Sequence, residues 1–118
     1  MLPKKFRLKN KKAFDATYKN RKIVSNSMLT VYLGREKRDK EAPSKIGFVV
    51  SKKYHKRAVR RNRIKRLMRE VLRLAIKQEK LGNLNKYMSV VFLPKDTTIG
   101  AKYCDIEASF YKLLERIK

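Results

Sequence analysis

AVRRNRIKRLMREV, residues 58 to 71, is the stretch that most narrows what this chain can become. Ile64, Leu67, Met68, Val71, Leu72, Ala75 and Ile76 recur at helical spacing. The periodicity predicts a helix from about residue 58 to Gln78 with one face in a core. At about 100° per residue, Lys65, Arg66, Arg69, Arg73 and Lys77 fall on the other side, joined by Asn62. From Lys52 to Arg73, eleven basic residues stand against one acid, Glu70. A solvated helix face ordinarily mixes its signs. Like charges three and four apart here repel by about 0.2–0.5 kcal/mol per pair. Core packing offsets that cost, and phosphates lying across the helix reverse its sign. The fold must bury one side of this helix and hold the other open to an anionic partner.

The rest of the chain shares the bias. Lys and Arg number 33 against 10 acids, a formal charge of +23. Self-repulsion on that scale costs stability, and nucleic acid is the commonest partner that relieves it. A membrane surface comes second and an acidic protein third. With 118 residues, 42% of them hydrophobic, the chain reads as one domain over 1–118, not as a disordered segment. A chain of this length buries roughly two-thirds of its unfolded surface.

Cys104 is the single cysteine, so no intrachain disulfide forms, which fits a reducing compartment. Residues 1 to 9 form a basic arm with no apolar segment behind it, unlike a secretory signal. The longest apolar runs, Ile46–Val50 and Val90–Leu93, are too short to span a bilayer. These features predict a soluble, cytoplasmic protein without a membrane partner.

Asn10 caps a predicted helix over residues 11 to 20, with Phe14 and Tyr18 on one face. MLTVYL, residues 28 to 33, alternates as a strand: Met28, Thr30 and Tyr32 to one side, Leu29, Val31 and Leu33 to the other. A further strand between Val24 and Met28 has only a weak pattern. Gly34 to Ser44 reads as a loop. KIGFVVS, residues 45 to 51, is a second strand, expected to pair antiparallel with the first. Gly82 ends the basic helix or the loop after it. YMSVVFL, residues 87 to 93, is a strand stopped by Pro94. Residues 105 to 117 form a last helix with Asp105 as N-cap and Ile106, Phe110, Leu113 and Ile117 on one face. A strand–helix–strand unit in the middle argues for an α/β sandwich with one mixed sheet.

Two constellations bear on function. Arg in the basic helix meets phosphate bidentately and stacks on bases; Asn62 both donates and accepts, or serves as a plain surface or capping amide. Phe14, Tyr18 and Tyr32 either pack in the core or stack unpaired bases, which contributes about 1–3 kcal/mol per base. Tyr54 and His55 precede the basic helix, as RNA contacts or as loop surface. Signals for protein catalysis are poor. His55 is the only histidine, it makes no zinc spacing with Cys104, and neither a phosphate loop nor a nucleophile motif is present. Asp105 and Glu107 read as helix N-terminal charges, not a metal pair.

RRNRIKRLMRE, residues 60 to 70, resembles the Arg-Asn-Arg helix of the bacterial ribonuclease P protein component family. IGFVVSKK, Ile46 to Lys53, is similar to that family's preceding strand and loop. FRLKNKKAFDATY resembles its first helix with an aromatic pair, and VVFLPK, Val90 to Lys95, its strand after the basic helix. The resemblance spans nearly the whole chain in the same order. It implies a two-layer α+β sandwich like domain 2 of ribosomal protein S5, with a mixed sheet of about four strands and about three helices. It also implies a left-handed βαβ crossover, against the usual right-handed rule.

In function the resemblance implies the protein subunit of a ribonucleoprotein that removes the 5′ leader from precursor tRNA. Its RNA subunit would bind most of the Mg²⁺ and perform the hydrolysis, with no organic cofactor and no obligate protein partner. By matching positions, Arg60, Arg61, Asn62, Arg63, Lys65, Arg66 and Arg69 would contact the catalytic RNA. Lys11, Lys12, Phe14, Tyr18, Tyr32, Lys52 and Lys53 would line the leader cleft, moving the three aromatics from core to open surface. The protein would broaden the substrate range and lower the Mg²⁺ requirement. Two departures stand out. Asn20 and Arg21 replace a common Gly after the first helix, so Asn20 is expected to take a left-handed turn. KYHKRAV replaces a Gly-containing loop before the basic helix. The rival reading is a structural RNA binder such as a ribosomal protein, which would not prefer a leader. A membrane-surface or DNA-compacting protein and a self-sufficient nuclease stand further back.

Overall fold

The computed structural model describes residues 6–20, 22–39, 41–50, 57–98 and 100–117. The elements run α1 (Lys11–Lys19), β1 (Lys22–Ser25), β2 (Leu29–Leu33), β3 (Lys45–Phe48), α2 (Ala58–Lys77), β4 (Ser89–Pro94) and α3 (Tyr103–Glu115). One four-stranded sheet has the order β1-β2-β4-β3. The β1–β2 and β2–β4 pairs are antiparallel; β3 lies parallel to β4, Ile46 opposite Val90, with α2 as the connection between them.

The expected antiparallel pairing of β2 with β3 is not made: β4 stands between them. Alternation tells which face a side chain takes, not which strand lies alongside, and the long Gly34–Ser44 loop leaves the neighbour open. The weakly patterned strand is real and lies slightly earlier, at Lys22–Ser25. It is an edge strand with no buried face, and Ile23 is 51% exposed. Its turn is held locally: Asn26 Oδ1 accepts from Met28 N at 3.0 Å and Leu29 N at 2.9 Å.

Alternation is borne out from Leu29 to Leu33; Met28, expected on the side of Thr30 and Tyr32, precedes the strand and packs against the core. Leu29, Val31 and Leu33 are buried and enter the core with Ile46, Val90 and Phe92. On that face lie α2, through Ile64, Met68, Val71, Leu72 and Ala75, and α3, through Ile106, Phe110 and Leu113. None of these side chains is more than 2% exposed, and each buried Val, Leu, Ile, Met or Phe among them contributes about 1.5–3 kcal/mol. Phe92 and Phe110 meet at 5.7 Å between ring centroids. The sheet and the α2–α3 pair form the two principal layers.

Helix α1 lies across part of the other face. Asn10 caps it as expected, accepting from Lys12 N at 2.9 Å. Thr17, buried, donates to Ala13 O at 2.8 Å and also meets Ser89 Oγ at 2.5 Å, which seats the helix on β4. Asn20 does not take the left-handed turn: its φ is −66°. Its side-chain amide instead donates to the carbonyls of Leu33 and Gly34, at 3.0 and 2.9 Å, and ties the end of α1 to the end of β2.

Two helix termini also differ from expectation. Asp105 is not the N-cap of α3. Lys102 holds that position, and Asp105, three residues on, reaches back to accept from Lys102 N at 3.2 Å. After α2 the left-handed conformation falls on Glu79, φ 56°, before Gly82, φ 57°, opens a short 3-10 turn.

Candidate nucleic-acid interface

Burial divides the cations of α2 into groups that helical spacing alone merges. Arg60, Asn62, Arg66 and Arg69 are exposed; Arg61, Arg63 and Lys65 are half-buried. Arg63 turns toward the segment before α3, where its Nη2 donates to the Ala101 carbonyl at 2.8 Å. Arg73 is held by Glu70 in a two-bond pair, Nη2 to Oε1 at 2.6 Å and Nε to Oε2 at 3.1 Å. That pairing holds the Glu70 carboxyl below the usual carboxylate range and lifts the Arg73 guanidinium. The one acid in this stretch therefore cancels one cation and leaves Arg66 and Arg69 open.

The second surface is the sheet face under α1. Register sets Tyr32 beside Val91 and Val91 beside Gly47, one row across β2, β4 and β3. The Tyr18 ring meets Tyr32 edge-on, centroids 4.9 Å apart at 88°. Phe14 lies over Gly47, where an added Cβ would stand 2.5 Å from the ring. All three aromatics are half-buried, neither core nor fully exposed. Burial pushes the Tyr18 phenol above its ordinary value, with Tyr32 and Asp15 acting in the same direction. At neutral pH the ring is an uncharged stacking surface.

Lys11 lies three residues before Phe14 and seven before Tyr18, on their flank of α1; Lys12 falls to the other side of the helix. Both are exposed. Lys52, Lys53, Tyr54 and His55, with residues 1–5 of the basic arm, lie outside the described residues.

Sequence reasoning passed over two contributors, Gly47, which admits Phe14, and Ser89, which seats Thr17; it singled out Asn20 for its backbone and not for the side-chain amide that anchors the end of α1. A glycine isolated among Ile46, Phe48, Val49 and Val50 is itself a sign of close approach. No comparable sign marks Ser89. No helix is long and apolar enough to cross a membrane among the described residues.

A family model described as Ribonuclease P matches residues 2–118. The ribonuclease P protein component of Alkaliphilus oremlandii (strain OhILAs) is 32% identical over 111 residues, 94% of this chain and 90% of that protein. That of Synechococcus sp. (strain JA-2-3B'a(2-13)) is 31% identical over 117 residues, covering 98% and 84%. Among solved structures, the RNase P protein from Thermotoga maritima matches with a TM-score of 0.75 at 25% identity, over 95% of this chain and 97% of that one. The RNase P protein from Staphylococcus aureus matches with a TM-score of 0.70 at 26% identity, over 98% and 91%.

Proposed function

The chain belongs to the ribonuclease P protein component family, part of an endoribonuclease complex in tRNA processing, and from that premise we propose that it is the subunit that binds the catalytic RNA and grips the single-stranded 5′ leader of precursor tRNA. The observation that supports this reading is the pairing of two unlike surfaces in one fold. Helix α2 offers cations of one sign, and the α1 face offers Phe14, Tyr18 and Tyr32 as half-open rings.

In this reading the exposed side of α2 docks on the catalytic RNA through Arg60, Asn62, Arg66 and Arg69, with Arg61, Arg63 and Lys65 at its margins. Guanidinium groups screen phosphate repulsion between RNA segments. The leader lies across the aromatic row with Lys11 on the same flank of α1; Lys12 stands on the other side of the helix, and Lys52 and Lys53 would join the track by their match to the family. Stacking accepts any base, so the leader is read by being unpaired and not by a strict code. Precursor is thereby held more tightly than mature tRNA, which has no leader to stack.

Among the described residues no three His, Cys, Asp or Glu side chains converge to hold a metal ion. We assign Mg²⁺ mainly to the RNA, where it would activate the attacking water, and the protein's role to binding and positioning in the cytoplasm. The protein's positive field lowers the Mg²⁺ concentration the RNA requires.

The test is to mix the protein with a bacterial ribonuclease P RNA at low Mg²⁺ and follow leader release from precursor tRNA. Cleavage at the mature 5′ end by the mixture, and by neither component alone, is the expected result. A protein that never stimulates a cognate RNA overturns the reading and favours a structural RNA binder. Cleavage by the protein alone overturns it in favour of a nuclease.

A further inference from the structure

Between the start of α1 and the flank of α2, at the outer edge of β3, lies a cleft of about 270 Å³. Arg7 and Lys9, from the segment before α1, and Lys65 and Arg69, from α2, line it together with Phe14 and Phe48. No acid lines it among the described residues. Four cations have thus been placed around one concavity, in a chain whose self-repulsion already costs stability. An anion in the cleft removes that cost.

The backbone favours the same occupant. Lys45 N and Val49 N donate to β4, at Met88 O and Phe92 O, so the peptide groups of Ile46 and Phe48 turn to the outer edge. Ile46 O accepts there from Leu8 N at 2.9 Å, which brings residues 7 and 8 alongside β3 and fixes the segment that carries Arg7 and Lys9. Ladder parity turns the Phe48 N–H the same way, a further donor at that edge. The volume falls below the roughly 300–1,000 Å³ of sites that engulf a whole drug-sized ligand. It suits one charged group of a longer strand.

Phe14 decides which strand. Its ring both closes the aromatic row over Gly47 and lines this cleft. A strand stacked on Tyr18 and Tyr32 and continuing over Phe14 crosses from β2 past β4 to β3, about 10 Å at two strand spacings. It then arrives at the edge where the four cations stand. We infer that this cleft is a phosphate subsite for the leader strand, with one phosphodiester held between Arg7 and Lys9 on one side and Lys65 and Arg69 on the other. The inference rests on the leader-binding reading above. It makes Lys65 and Arg69 shared residues, joining the leader track to the RNA-binding helix.

The experiment uses the reconstituted holoenzyme with two precursors, one bearing a single leader nucleotide and one a leader long enough to cross the row. Binding is measured over a range of salt for the wild-type protein and for Lys9→Ala, Lys65→Ala and the double variant. With the long leader, each single variant is expected to weaken binding and to make the log–log salt slope shallower by about 0.7, the value for neutralising one phosphate fewer on a single strand. The double variant should fall short of the sum, because both residues hold one group. With the single-nucleotide leader Lys9→Ala should match wild type, and Lys65→Ala should lose only the part that its contact with the catalytic RNA supplies. Equal losses of Lys9→Ala with both precursors, matched by weaker binding of the catalytic RNA, would assign the cleft to that RNA and overturn the inference. Unchanged binding of the long leader would overturn it as well. A wild-type enzyme with no preference for the long leader would instead remove the parent reading, which separates the two failures.

Discussion

The Cζ atom of Phe14 lies 2.5 Å from the point where a Cβ on Gly47 would stand, with Cε1 at 2.6 Å, so the ring rests on β3 because residue 47 has no side chain. Gly47→Ala forces the ring up and away from the row it closes. The expected loss is about one stacked base, about 1–3 kcal/mol of leader affinity. Binding of the catalytic RNA should stay unchanged. Affinities for precursor and mature tRNA, measured side by side, check this; an unaltered preference for precursor removes Phe14 from the leader track.

Tyr18 gives a prediction in pH. Its phenol is raised above 10.0, chiefly by burial and then by Tyr32 and Asp15. The folded chain therefore holds this proton more tightly than the unfolded chain does. Its contribution to stability is complete below pH 10.0 and is lost as pH rises through the raised value. Tyr103 and Tyr111 shift the same way, with burial as the main cause. Phenolate absorbance should develop late in the folded protein, together with alkaline unfolding, and Tyr18→Phe should remove part of that lability. Leader affinity at neutral pH should survive Tyr18→Phe, since the ring stacks without its hydroxyl. A sharp loss there would give the hydroxyl a partner of its own.

Much of the core was legible because it depends on period alone. Leu29, Val31 and Leu33 alternate and are buried; Ile64, Met68, Val71, Leu72 and Ala75 share one helix face and are buried. The β3–α2–β4 unit follows from element order. What period cannot convey is partnership. It did not show that β4 separates β2 from β3, because an extended strand fits beside any other. It did not separate Arg63 from Arg66, which both lie on the polar arc of α2, because only the fold brings Ala101 against one of them. The aromatic positions were identified, but whether they faced core or cleft rested on family resemblance. Their half-buried state under a short α1 shows why spacing left both readings open.

Glu70 lowers the charge of α2 by holding Arg73. Both side chains are well exposed, so breaking the pair should change stability little. Glu70→Gln releases Arg73 to the same face as Arg66 and Arg69. Affinity for the catalytic RNA should rise, and the salt slope should steepen by about 0.9 if the freed guanidinium meets a duplex phosphate. Salt titrations of the two proteins decide it. An unchanged slope means that Arg73 lies beyond the RNA footprint.

Arg63 and Arg66 should fail in different ways. Arg63 is half-buried and its guanidinium reaches Ala101 O at 2.8 Å, joining α2 to the segment that opens α3. A hydrogen bond from a charged donor contributes about 1.5–3 kcal/mol, and exposure places this one toward the lower end. Arg63→Ala should therefore lower the urea midpoint, whereas Arg66→Ala, on open surface, should shift stability by no more than about 0.5 kcal/mol. For RNA the order reverses: Arg66→Ala makes the salt slope shallower by about 0.9, and Arg63→Ala by less. Arg63→Lys keeps the charge and loses the planar reach to Ala101, so it should retain the slope and still lower stability. If Arg63→Lys is as stable as wild type while Arg63→Ala flattens the salt slope as much as Arg66→Ala does, then Arg63 acts as another phosphate ligand and its bond to Ala101 is incidental.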